Sequence, residues 1–127
     1  MNYSKQLRSL AKHLECKPSE IDQDDYLILS DKDADEKCRE YILDVIWAFR
    51  AEFLAAHLKD GIDSDIIKTI QSNDKYEDNN EAILSLIEDI DHLVDDAIKC
   101  DGRGHFLSSY DGEEIELGNN FYAYRTN

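Results

Sequence analysis

The chain has 127 residues, of which 29 are Asp or Glu and 14 are Lys or Arg, for a formal net charge of −15. One Pro, 5 Gly and a hydrophobic fraction of 42% exclude a linker or low-complexity chain and predict a single domain, 1–127, that buries a core without disulfide or metal staples. The acidity argues against direct binding of nucleic acid or of an anionic membrane, which both call for a basic face, and favours a partner that is itself basic.

In chain order, Leu7, Leu10, Ala11 and Leu14 recur at helical spacing, and Lys17-Pro18 ends that helix. "DDYLILS" is a short apolar run between acids and predicts a strand from Tyr26 to Leu29. A long helix is predicted next, capped by Ser30 or Asp31, with Asp33, Asp35 and Glu36 at the positive end of its dipole. Cys38, Tyr41, Ile42, Val45, Phe49 and Phe53 trace its apolar stripe towards a stop at Asp60-Gly61. "DSDIIKTIQSN" predicts a shorter helix with Ile66, Ile67 and Ile70 inward. After the polar break "NDKYEDNN", the segment "EAILSLIEDIDHLVDDAIKC" reads as one helix closed by Asp101-Gly102.

The remaining segment predicts a β-meander: "HFLSSY", a turn at Asp111-Gly112, "EEIEL", a second turn at Gly118 to Asn120, and an edge strand over Phe121 to Arg125. The sum is an α+β fold, about four helices on one face of a three- to four-stranded antiparallel sheet.

Few residues point to catalysis. Arg103, His105, Asp111 and Glu113 form an acid/base set by type, but a hairpin would hold the first two from the others by ~6 extended residues, about 20 Å. Gly102 and Gly104 read as swivel points between helix and sheet. His13 and Cys16 have ligand-like spacing without a second pair, and His57, His92, His105, Cys38 and Cys100 stand singly, so no metal is expected. Asp31, Asp33 and Asp35 match the start of a calcium loop that fails at Glu36 and Ile42. There is no phosphate loop, serine nucleophile motif or dinucleotide fingerprint, so neither a cofactor nor an enzyme activity is expected. An odd count of 3 Cys and a polar opening segment predict a reducing cytoplasm, and no apolar run approaches the ~20 residues of a membrane span.

The acids are more informative. Glu81, Glu88, Asp91 and Asp95 fall at offsets of seven, three and four, which predicts one helical face, with Asp89 and Asp96 flanking it and Lys99 as the lone base. Like charges at such spacings cost about 0.2–0.5 kcal/mol per pair, so a merely solvated helix more often intersperses lysine. These six residues are therefore the predicted partner-binding set, a row resembling phosphates that suits a Lys/Arg-lined groove built for nucleic acid. Plain solvation of an acidic face is the competing reading. A different alternative is an accessory interaction module that docks through a sheet edge, Tyr122, Tyr124 and the Arg103-Gly104-His105 corner. Self-association is left open.

Two stretches, "YLILSDKDADEKCREYILDVIWAFRAEFLAAH" and "DGRGHFLSSYDGEEIELGNNFYAYRTN", resemble a family of small acidic proteins encoded by bacteriophages and other mobile elements. The resemblance covers most of the chain and carries no catalytic residue over to it. It implies an inhibitor in the host cytoplasm that binds and blocks a basic, nucleic-acid-binding defence protein of the CRISPR or restriction type, in some cases by DNA mimicry.

Overall fold

A computed structural model describes residues 4–72 and 76–127. The fold is mixed α+β, with seven α-helices and a three-stranded antiparallel sheet among the described residues. The chain divides into two compact units. One comprises residues up to Cys38 together with Asp101–Asn127, and the other is the contiguous Arg39–Cys100. The boundary falls inside two helices, each of which contributes residues to both units.

The first unit is built around the sheet. Helix α1 (Ser4–Leu14) ends at Glu15, whose φ of 56° breaks the helical path. Strand β1 (Tyr26–Ser30) pairs antiparallel with β3 (Phe121–Arg125), and β3 pairs with β2 (Ile115–Gly118), giving the order β1-β3-β2. Leu10, Ile28, Leu117 and Ala123 form its core, with Leu7, Ile21, Tyr26, Ile115 and Phe121 packed around them. Strand β3 is therefore central, which corrects the expectation that Phe121 to Arg125 is an edge. The edges are β1 and β2.

A second correction concerns the meander. "HFLSSY" is not a strand: Arg103–Leu107 is the short helix α7, followed by a turn. Gly104 explains why. A Cβ at this position would lie 2.4 Å from the Gly112 carbonyl oxygen and 2.8 Å from the Glu113 carbonyl carbon, so α7 packs backbone to backbone on the loop before β2. Asp111-Gly112 belongs to that loop. The hairpin turn is made instead by Asn119 and Asn120, whose φ values of 52° and 64° are the two positive angles that a tight turn between twisted strands requires. A register shift between Glu116 and Gly118 accommodates it.

In the second unit the predicted long helix is broken. Helix α2 (Asp31–Asp44), which begins in the first unit with the Ser30 hydroxyl accepting from Asp33 N–H at 3.1 Å, stops well before Asp60. A 3-10 turn over Ile46–Ala48 and the short α3 (Ala51–Ala55) follow. The break is stitched by side-chain amides. Asn80 Nδ2 donates to the Leu43 and Asp44 carbonyls at 2.7 Å each, and its Oδ1 accepts from Trp47 N–H at 2.9 Å. Gln71 Nε2 donates to the carbonyls of Trp47 (3.1 Å) and Phe49 (2.6 Å). Backbone groups freed by the interruption thus find partners, as a buried chain requires.

Helix α4 (Asp65–Gln71) buries Ile67 but leaves Ile66 42% exposed, against the expectation that both face inward. Of the predicted break "NDKYEDNN", residues 73–75 lie outside the described residues, and the rest opens helix α5 (Tyr76–Leu86). The helix expected over "EAILSLIEDIDHLVDDAIKC" is two: α5, then α6 (Ile90–Asp101). Between them Ile87 forms an isolated antiparallel bridge with Leu58, with Lys59 N–H donating to Leu86 O and Glu88 N–H to His57 O, both at 2.9 Å. Ile42, Ile46, Leu54, Ile67, Ile83 and Leu93 are all 0% exposed and furnish this unit's core.

Candidate functional site

In the first unit Arg103 gathers a charged cluster, although the sequence predicted that the acids and bases of its segment would be held apart. Arg103, at the start of α7, has a side chain only 11% exposed. Its Nη1 meets Asp31 Oδ1 at 2.9 Å and Asp35 Oδ1 at 3.0 Å, and its Nη2 meets Glu114 Oε1 at 2.5 Å. The guanidinium also lies 4.5 Å from the centroid of the Tyr122 ring. Burial works against its charge, but the hydrogen bonds it donates to Glu114 and Asp31 outweigh that and hold the group firmly protonated. Asp111 and Glu113 take no part. Asp111 Oδ1 accepts from the Ser108 hydroxyl at 2.8 Å and from Glu113 N–H at 3.0 Å, which stabilises the loop and, the N–H contact first, lowers the Asp111 pKa.

Beneath Arg103 sit two buried acidic protons. Burial pushes the Cys38 thiol up to about 12, with Arg103 opposing, and its Sγ donates to the Arg103 carbonyl at 4.0 Å. Tyr124 is 0% exposed; burial, with the nearby Glu114 carboxylate adding to it, raises its pKa as well. With Arg103 enclosed, Tyr122 half-buried beneath it and Tyr124 inside, the corner expected to present exposed aromatics is largely closed.

The six predicted partner-binding acids all lie in the second unit, where the break between α5 and α6 divides them. Glu81 is on α5, Glu88 and Asp89 are in the connection, and Asp91, Asp95 and Asp96 are on α6. The expected single helical row is thus not formed. Three of the six are engaged within the unit. Asp89 caps α6, its Oδ1 accepting from His92 N–H at 3.1 Å. Asp91 forms an ion pair with Arg39. Asp96 Oδ2 lies 2.8 Å from Nε2 of His57, whose side chain is 4% exposed; since a carboxylate only accepts, Nε2 carries the proton. His57 also meets His92 edge-on, with ring centroids 5.2 Å apart, so neither histidine stands alone as the sequence suggests. Glu81, Glu88 and Asp95 are exposed, and their carboxylates have no partner among the described residues.

Among the described residues no group of three or more His, Cys, Asp and Glu is arranged to hold a metal ion, and no helix is long and apolar enough to cross a membrane. No protein-family model, curated protein or solved structure matches the chain.

Missing from the sequence reading were Glu114, Asn80 and Gln71. Asn80 and Gln71 did leave a signal, since Asn80 precedes Ile83 by three residues and Gln71 follows Ile67 by four, both at core-facing spacing. A polar amide in such a stripe marks backbone in need of partners.

Proposed function

We propose that this chain is a non-enzymatic binding protein whose second unit engages a Lys/Arg-lined surface of a nucleic-acid-binding protein and blocks it. The observation that carries the reading is the formal charge of −15, combined with Glu81, Glu88 and Asp95 standing exposed and unpaired on one unit. Carboxylates left without an internal cation keep their full field for a partner, steer its approach and bind in a salt-dependent way. Asp89, Asp91 and Asp96 support the surface by capping and pairing, so they act on binding through the shape of α6. A defence effector of the CRISPR or restriction type, the target class that the resemblance implies, is the first to test. The finer arrangement, helices gathered on one face of the sheet, belongs to the same proposal.

The experiment is displacement of DNA from such an effector by the wild-type protein and by the triple variant Glu81→Lys/Glu88→Lys/Asp95→Lys, each at low and high salt. Displacement by wild type at low salt, weakened by salt and abolished in the folded triple variant, is the expected outcome. Equal activity of the two proteins would overturn the assignment of these acids.

A further inference from the structure

Strand β1 has an outer edge with a small, defined set of open hydrogen-bonding groups. Asp31 N–H donates to Asn120 O at 2.7 Å and Thr126 N–H to Asp25 O at 2.8 Å, flanking the Tyr26↔Arg125 to Ser30↔Phe121 register. Those two bonds fix the phase of the ladder. Leu27 and Leu29 exchange bonds with Tyr124 and Tyr122, so the N–H and C=O groups of Tyr26, Ile28 and Ser30 face away from β3. Two of these six are already used. Tyr26 N–H donates to Gln23 O, and Ser30, as the residue before α2, offers its carbonyl to the first helical bond. Tyr26 C=O, Ile28 N–H, Ile28 C=O and Ser30 N–H have no partner among the described residues, although Ile28 as a whole is only 9% exposed. A row of unpaired groups along an edge strand is a template for another chain.

Charge decides what fits there. The strand itself carries no charged residue, but Asp22, Asp24 and Asp25 precede it and Asp31, Asp33 and Asp35 follow it. A second copy pairing antiparallel about Ile28 would set the leading acids of each chain beside the trailing acids of the other, with repulsion at both ends. The opposite edge is a poorer platform, because the register shift in β2 disturbs its outer groups.

We infer that the outer edge of β1 accepts an extended segment of a partner protein, about three uncharged residues flanked on both sides by Lys or Arg. The segment adds as a fourth, antiparallel strand. One of its residues exchanges both bonds with Ile28, and its neighbours two positions away meet Tyr26 C=O and Ser30 N–H. Its basic flanks face Asp24 and Asp33, the acids at the two ends whose carboxylates no described side-chain or backbone donor engages. This surface lies in the first unit, goes beyond the reading of Glu81, Glu88 and Asp95, and stands if that reading fails.

The test uses the full chain, labelled with nitrogen-15, and a synthetic peptide of alternating valine and threonine with two lysines at each end. Amide hydrogen exchange at Ile28 and Ser30 is expected to slow on the order of tenfold at saturating peptide, with Leu27 and Leu29 unchanged because they are already bonded. A peptide N-methylated at its central residue, or ended by glutamates, is expected not to bind. The double variant Asp24→Asn/Asp33→Asn should bind the lysine peptide about fivefold more weakly, in line with two rim charges. The inference is overturned if peptide binds with no slowing at Ile28 and Ser30, if the glutamate-ended peptide binds equally well, or if those two amides are already protected in a concentration-dependent dimer.

Discussion

Arg103 shows how much can depend on one side chain. It gathers Asp31 and Asp35 from the N-terminal end of α2 and Glu114 from the approach to β2, and roofs Cys38 and Tyr124. Three carboxylates at different angles suit the fork of a guanidinium and not the point charge of an ammonium. Arg103→Lys is therefore expected to destabilise the protein by about 2–3 kcal/mol in urea denaturation, below the full cost of breaking a buried pair because Asp31 and Asp35 are more than half exposed. Beside it, Gly104→Ala should cost about 3 kcal/mol, the upper end for overpacking, because the added carbon meets backbone that cannot rotate away. A Gly104→Ala protein with a wild-type denaturation midpoint would refute the backbone contact. Glu114 as the Arg103 partner was illegible in the sequence: eleven residues and a change of direction separate them, and no local period encodes that meeting.

At the scale of elements, composition and short-range pattern served well where a local rule decides the outcome. The strand at Tyr26, the Ser30 cap and the turn at Asn119-Asn120 follow from propensity, a side-chain oxygen and positive φ. The two long helices misled for a common reason. Their apolar stripes continue across the breaks, because the residues on both sides face the same core whether or not the helix is continuous, as buried Ile83, Ile87 and Leu93 show. What breaks them is supplied from elsewhere in the chain: Asn80 and Gln71 for α2, and the Leu58 bridge for the α5–α6 junction. Asn80→Ala removes three hydrogen bonds to the 43–47 backbone and is expected to cost about 3 kcal/mol. Asn80→Asp, which keeps the acceptor for Trp47 N–H but loses both donated bonds, should recover only a part of this.

For the whole molecule, the net charge was legible from the outset and its distribution was not. Half of the predicted binding acids turned out to be engaged in the unit's own structure, because capping and pairing depend on where α6 begins and on Arg39 and His57 reaching it. The buried protons of the first unit have a global consequence for pH. Cys38 and Tyr124 both titrate higher in the fold than their ordinary values of 9.0 and 10.0, so the folded protein holds protons that the unfolded chain releases. Their contribution is complete below those ordinary values and is lost as pH rises through the folded ones, for Cys38 towards about 12. Stability should therefore fall on the alkaline side by about 1.4 kcal/mol per pH unit for each group. Cys38→Ala is expected to flatten the slope from its onset near the thiol value while leaving the tyrosine part, and an unchanged slope would show that the thiol is free to ionise in the fold.

The division of the chain also bears on the order of events during synthesis. The second unit is one contiguous stretch, Arg39–Cys100, and its contacts become available as it leaves the ribosome. The sheet of the first unit must wait, since Tyr26 and its partner Arg125 are about a hundred residues apart. Until β3 emerges, β1 is an apolar strand with neither edge satisfied, and the acids on both sides of "YLILS" are then the only guard against its pairing with another nascent chain.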